Sequence, residues 1–189
     1  TAPNFLNFMN QALDFYQFNQ SIFSISGYTM DLPSLKNETE DFYFAYRASS
    51  WGWGTWSRSW KNIDWKIKEY NEVSKSSKLI KEFNRGGSDM FKMLKNQRNN
   101  KIDSWAIRWC FNQFLRNQFT VFPVKSKIQS IGFGQSATHT KRTTRFDTKL
   151  DDTLKVNFNF DNKVHFKKKI IKDFKSKFSI LSRIKDKFL

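Results

Sequence analysis

Three stretches hold the side chains best suited to chemistry. The densest is Arg47-Ala48-Ser49-Ser50-Trp51-Gly52-Trp53-Gly54-Thr55-Trp56, continued by Trp60 and Trp65, which places five of the seven tryptophans within fifteen residues. An indole packs as a large apolar body, and its face also stacks on the C–H surface of a sugar ring. Glycines between the tryptophans let backbone approach a ligand closely. The same composition also suits a tryptophan-rich corner of a core. The second stretch is a choice of carboxylates. Asp103 lies in Lys101-Ile102-Asp103-Ser104-Trp105, and Asp89 follows Gly86-Gly87-Ser88. A carboxylate held at a cleft beside an aromatic ring is how a general base is built. The ordinary alternative for both is to cap the helix that follows. The third stretch is Gly132-Phe133-Gly134-Gln135-Ser136-Ala137-Thr138-His139-Thr140, with Lys141, Arg142 and Arg145 beyond it. Its backbone N–H groups, hydroxyls and cations suit closure over a diphosphate. No His/Cys/carboxylate set surrounds His139, so no metal ligand is assigned. No nucleophile-elbow sequence accompanies the histidines.

Several elements must position these residues. Pro3 opens a helix whose apolar face is Phe5, Phe8, Met9, Ala12, Leu13 and Phe15-Tyr16. Ile22 to Tyr28 reads as a short buried strand ending at the Gly27 turn, and Phe42 to Tyr46 as a second. Between them, Asp31 to Asp41 holds Pro33 and four acidic residues and reads as a solvated loop. Residues 61–83 are charged and helical. Arg85-Gly86-Gly87-Ser88 breaks the chain, and Ser88 is expected to cap a helix through Met90, Met93 and Leu94. Ser104 to Phe119 reads as a stronger helix that buries Trp105, Ile107, Trp109, Phe111, Phe114 and Leu115. Residues 120–133 return to strand and loop, and no internal repeat is visible.

Composition bounds the function classes. The chain has 189 residues and a formal charge of +16, enough length for one domain with a core. Its 39% hydrophobic content is too high for a disordered basic tail. No run approaches the roughly 18 apolar residues of a spanning helix. The start, Thr1-Ala2-Pro3-Asn4, carries neither a signal peptide pattern nor a Met, and a chain cut from something longer is expected. A single cysteine, Cys110, excludes an internal disulfide framework. The charge points away from nucleic acid, because 24 Lys stand against 9 Arg, and phosphate and base readers lean on Arg. It is also uneven, since residues 1–60 hold three basic and five acidic side chains. From Lys155 to Leu189, eleven basic residues stand against three acidic ones. There Phe166, Ile170, Ile171, Phe174, Phe178, Leu181, Ile184 and Phe188 recur at helical spacing. That is the pattern of a basic amphipathic helix, which either lies on an anionic membrane surface or docks on the domain.

In order along the chain, Pro3-Asn4-Phe5-Leu6, Phe23-Ser24-Ile25-Ser26-Gly27-Tyr28, the Arg47–Trp56 run, Lys101 to Trp109, Phe122-Pro123-Val124-Lys125-Ser126 and Ile131-Gly132-Phe133 with Thr138-His139 form a set. With them, Thr1 to about Asp147 resembles the C-terminal half of bacterial family 2-like glycosyltransferases of the A-type, nucleotide-diphospho-sugar transferase fold. A fainter similarity runs to the N-acetylglucosaminyltransferase I group. The resemblance implies an α/β fold in which residues 1–150 are the acceptor-side half and 151–189 a basic helical tail. It implies inverting transfer of a sugar from a nucleotide-diphospho-sugar to a glycan or lipid-linked acceptor hydroxyl, in surface glycan synthesis. The enzyme would be cytoplasmic and peripheral at the inner face of the membrane. Asp103 would be the general base. Ser104 stands where the family has a second acidic residue, so Asp89 remains the other candidate. Arg47, Ser50, Trp51, Gly52, Trp53 and Trp105 would line the substrate pocket. Gly132, Gly134, Ser136, Thr138 and His139 would fold over the donor phosphates. A divalent metal, Mn or Mg, is expected in the full-length enzyme. The family's acidic motif for it precedes the segment that opens this chain, so the chain alone is expected to be inactive. The competing class is a non-catalytic basic protein that binds nucleic acid or a membrane.

Overall fold

In short strands successive side chains go to opposite faces, and here both faces are covered. The computed structural model describes residues 1–130 and 144–185. Among them the strands are β1 (Ile22–Ser26), β2 (Phe42–Ala45), β3 (Trp53–Gly54) and β4 (Phe119–Pro123), in the order β2-β4-β1-β3. β1 and β4 run parallel, with Ile25 opposite Val121, while β2 and β3 are antiparallel to their neighbours. Every residue of β1, β2 and β4 is buried, as a sheet covered on both sides requires. The protein is thus mixed α/β.

The helices are α1 (Phe5–Phe15), α2 (Ser57–Trp60), α3 (Tyr70–Lys75), α4 (Ser77–Phe83), α5 (Met90–Arg98), α6 (Trp105–Leu115), α7 (Lys168–Ser176) and α8 (Ile180–Lys185). None is long and apolar enough to cross a membrane. On one side of the sheet Ile25, Phe42, Phe44 and Val121 pack with Phe8, Met9 and Ala12 of α1. On the other, Tyr43, Ala45 and Phe122 pack with Ile170 and Phe174 of α7 and with Phe178. A third cluster, including Val73, Phe83, Leu94, Ile107 and Phe111, joins α3 to α6.

Three local expectations need correction. Ser88 does not cap α5, because its hydroxyl instead donates to the Phe178 carbonyl at 3.0 Å. The helix expected over Ser104 to Phe119 stops at Leu115. Asn117 then takes a left-handed conformation at φ +50°, a geometry asparagine tolerates better than most residues, and it turns the chain into β4. The same helix leaves Trp105 and Leu115 exposed rather than burying them.

Between residues 151 and 167 the chain has no helix or strand, and it lies along α1. Phe158 meets Phe8 edge to face at 5.2 Å. Asp151 pairs with Lys127 and accepts from the Asn4 amide, so this segment clasps the first residues of the chain. Beyond it, α7 turns Ile170 and Phe174 inward, as a docked helix does. Past Phe178, Ile180, Leu181 and Ile184 face solvent.

Candidate functional site

Two adjacent glycines decide where Arg47 and Asp89 meet. A Cβ on Gly86 would stand 2.9 Å from the Arg47 Cβ, and one on Gly87 would stand 2.6 Å from Asp89 Oδ1 and 2.8 Å from Arg47 Nη1. Only without side chains can this turn wrap so closely. In the space left, Arg47 Nη1 donates to Asp89 Oδ1 at 2.8 Å, with the two side chains 14% and 11% exposed. Asp89 stands at the N-cap of α5, yet its carboxylate makes no capping bond. The position would ordinarily use Asp to satisfy the helix's first N–H groups. Here the charge is turned to Arg47.

The Arg47 side chain forms one wall of a cavity of about 190 Å³ between the sheet and the helices. That is smaller than the roughly 300–1,000 Å³ clefts that enclose drug-sized ligands, and suits a single ring. Tyr28, Met30 and Phe122 come from the sheet side, Ala106, Ile107 and Cys110 from α6, and Ser49, Ser50 and Trp51 from the stretch before β3. Phe174 and Phe178 line it from the far end of the chain. Asp89 stands behind Arg47 rather than on the wall. Tyr28 meets the Trp51 ring edge to face at 4.5 Å and donates its hydroxyl to the Phe146 carbonyl at 2.7 Å. Burial, reinforced by Tyr43 and Asp147, pushes the Tyr28 phenol up, so it stays a protonated donor. Burial also pushes the Cys110 thiol up, against the smaller opposing pull of Arg47. A thiol held protonated is a poor nucleophile, so Cys110 lines the cavity without offering thiolate chemistry.

The structure separates residues that the sequence grouped. Arg47, Ser50 and Trp51 line the cavity with Asp89 behind them. Gly52 is one step away at φ +52°. Its carbonyl accepts the Gly27 N–H at 2.8 Å, and a Cβ there would stand 2.4 Å from Ile128, so its role is to seat the turn before β3. Trp53 lies elsewhere, stacked on Trp105 at 5.3 Å. Asp103 belongs with that second group. Its carboxylate is 93% exposed and pairs with Arg108 at 3.1 Å. Nor does Asp103 cap α6, because the Ser104 hydroxyl takes that place by accepting the Ile107 N–H. Gly132, Gly134, Ser136, Thr138 and His139 lie outside the described residues. Sequence reasoning missed Met30, Cys110 and Phe178 as cavity residues. Cys110 carried a signal, one helical turn on from Ala106 and on the same face. Phe178 was marked only as part of the tail's apolar face, and Met30 carried no signal.

Among the described residues no group of three or more His, Cys, Asp or Glu side chains is placed to hold a metal ion. Comparisons with family models, curated proteins and solved structures find no match for this chain.

Proposed function

We propose that the chain carries the acceptor side of an inverting glycosyltransferase that moves a sugar from a nucleotide-diphospho-sugar to an acceptor hydroxyl in surface glycan synthesis. One observation carries the reading. The run from Arg47 to Trp51, part of the resemblance to that family, walls a ring-sized cavity with a buried carboxylate behind it. In this reaction the acceptor oxygen gives its proton to a carboxylate and forms a bond to the sugar's anomeric carbon. The bond from that carbon to the diphosphate breaks, and the diphosphate leaves with the electron pair. A base must reach the hydroxyl. Asp89 reaches it when Arg47 swings onto the donor phosphates, for which a guanidinium is well shaped. Asp103 reaches only an acceptor bound on the outer face, beside Trp105.

The test is release of nucleoside diphosphate from UDP-, GDP- and dTDP-sugars by the complete gene product, with Asp89→Asn and Asp103→Asn alongside. Release that one of the two substitutions abolishes supports the reading. No release from any donor overturns it.

A second reading, a non-catalytic surface-binding protein, draws on Ile180, Leu181 and Ile184, which are exposed beside Lys177 and Arg183. Apolar side chains flanked by cations suit an anionic membrane. Co-sedimentation with phosphatidylglycerol vesicles but not phosphatidylcholine vesicles, in a protein without transferase activity, would favour it.

A further inference from the structure

Five tryptophans form one connected cluster beside the cavity, and part of it faces water. Trp53 stacks on Trp105 at 5.3 Å and lies across the buried Trp109 at 5.1 Å. Trp60 touches Trp53, Trp109 and Trp65, with centroids 6.4, 5.7 and 5.5 Å away. Trp109 is fixed from below by Phe23 at 4.3 Å. The outer rings are therefore held rigidly, yet Trp60 is 48% and Trp105 39% exposed. Leaving two braced indoles in water forgoes burial that a core corner would take, and exposed apolar patches rimmed by polar groups mark interaction sites. The polar rim includes a carboxylate and a guanidinium. Arg108 donates to Asp103 Oδ1 at 3.1 Å and also lies 5.8 Å over the Trp65 ring.

We infer that Trp53, Trp60, Trp65 and Trp105, with Asp103 and Arg108, form a platform that binds the ring face of a neutral oligosaccharide. A pyranose ring offers C–H bonds to a braced indole face and hydroxyls at its edge. A carboxylate accepts those hydroxyl protons, and a guanidinium donates to the ring and hydroxyl oxygens. Single-stranded nucleic acid also stacks on aromatic rings. At the platform the Asp103 carboxylate, 93% exposed, repels phosphate and already partners Arg108, while the exposed Lys61 and Lys66, next to Trp60 and Trp65 in the chain, would attract it, so titration with oligo(dT) weighs the two. The platform is the outer face on which Asp103 would serve an acceptor, so the inference rests in part on the transfer reading, although none of its side chains walls the cavity at Arg47. Glycan binding without transfer sustains it, and transfer without binding here overturns it.

The experiment follows the indole N–H signals by NMR while the protein is titrated with chitotriose, maltotriose and mannotriose, and separately with oligo(dT). Saturable shifts at Trp53, Trp60 and Trp105 with one or more trisaccharides, at concentrations up to roughly 10 mM, are expected for a weak single-subsite ligand. Trp105→Ala should weaken that binding about tenfold or more. Asp103→Ala, an exposed change that spares the packing, should also weaken it, while Leu154→Ala, an exposed change outside the platform, should not. No shift with any trisaccharide, shifts confined to Trp51, or oligo(dT) moving the same indoles while the sugars do not would each overturn the inference.

Discussion

The Arg47 guanidinium lies 3.8 Å above the centroid of the Phe178 ring while its Nη1 holds Asp89. A residue from far along the chain thus covers the charged pair and lines the same cavity as Cys110. Ser88 and Arg145 fasten the same cover by donating to the Phe178 and Lys177 carbonyls. Phe178→Ala removes a buried ring, a change that costs about 3 kcal/mol at the low end for Phe→Ala. For a chain of this length that lowers Tm by roughly 6–12 °C. It also opens the cavity, so iodoacetamide should alkylate Cys110 faster well below Tm. An alkylation rate unchanged from the parent protein would mean that Phe178 stabilises the fold without closing the cavity.

The two carboxylates should separate cleanly on stability alone. Asp103 makes an exposed pair with Arg108, and such pairs contribute about 0–1 kcal/mol. Asp103→Asn should therefore melt within about 4 °C of the parent protein. Asp89→Asn removes the counter-charge of a largely buried guanidinium while keeping an acceptor oxygen, and should cost about 1–3 kcal/mol. In the transferase assay, whichever carboxylate is the base should lose roughly 10²–10⁴-fold in turnover as Asn. A turnover loss confined to Asp103→Asn, with no change in Tm, would place the chemistry on the tryptophan platform rather than in the cavity.

The strands β1 and β2 were legible because each is a short apolar run bounded by turn residues, as Phe42 to Ala45 shows, whereas β4 was legible only as strand-and-loop character after residue 120 and the two-residue β3 was not legible. The helix after Ser104 was legible in type but not in length, because Asn117 stops it through a backbone conformation that apolar periodicity does not encode. The site was legible by half. Trp51 and Trp53 are two residues apart, and only the pairing of Trp53 with Ser26 across β3 and β1 sends them to different places. The tail's periodicity marked an apolar face without saying what it meets. Phe174 reaches Phe122 and Tyr43 through contacts distant in sequence, which local pattern does not carry.

Acid should weaken the clasp between Lys127 and Asp151. Burial alone would raise the Asp151 carboxyl, but hydrogen bonds from Lys127, Asn4 and Thr153 outweigh it and hold the group well below the usual carboxylate range. Burial pulls the Lys127 ammonium below its ordinary value, with Asp151 opposing. A carboxyl whose folded value lies below its unfolded value, about 3.9, contributes its full stability above that pH. The contribution is lost as pH falls from about 4 toward the folded value. Asp151→Asn leaves Lys127 buried without its counter-charge and should cost about 3–5 kcal/mol at pH 7. Its Tm should then fall less steeply than the parent's below about pH 4. Parallel acid limbs in the two proteins would show that other carboxyls govern acid unfolding.

The Arg47–Asp89 pair depends on Gly87 having no side chain, and that dependence can be measured as a coupling. Gly87 sits at φ +151°, a conformation L residues rarely adopt. Strain of this kind costs about 1–3 kcal/mol, so Gly87→Ala should destabilise by at least that much. Strain alone would be indifferent to Asp89. The added Cβ, however, would also stand 2.6 Å from Asp89 Oδ1, 2.8 Å from Arg47 Nη1 and 3.0 Å from the Phe178 Cβ. Removing the carboxylate clears the nearest of these contacts. In a double-mutant cycle, Gly87→Ala should therefore cost less in an Asp89→Ala background than in the parent, by about 0.5–3 kcal/mol of coupling. Urea denaturation of the four proteins gives the value. Costs that add to within about 0.3 kcal/mol would mean that the turn and the ion pair form independently. The two glycines would then serve only to end the helix before them.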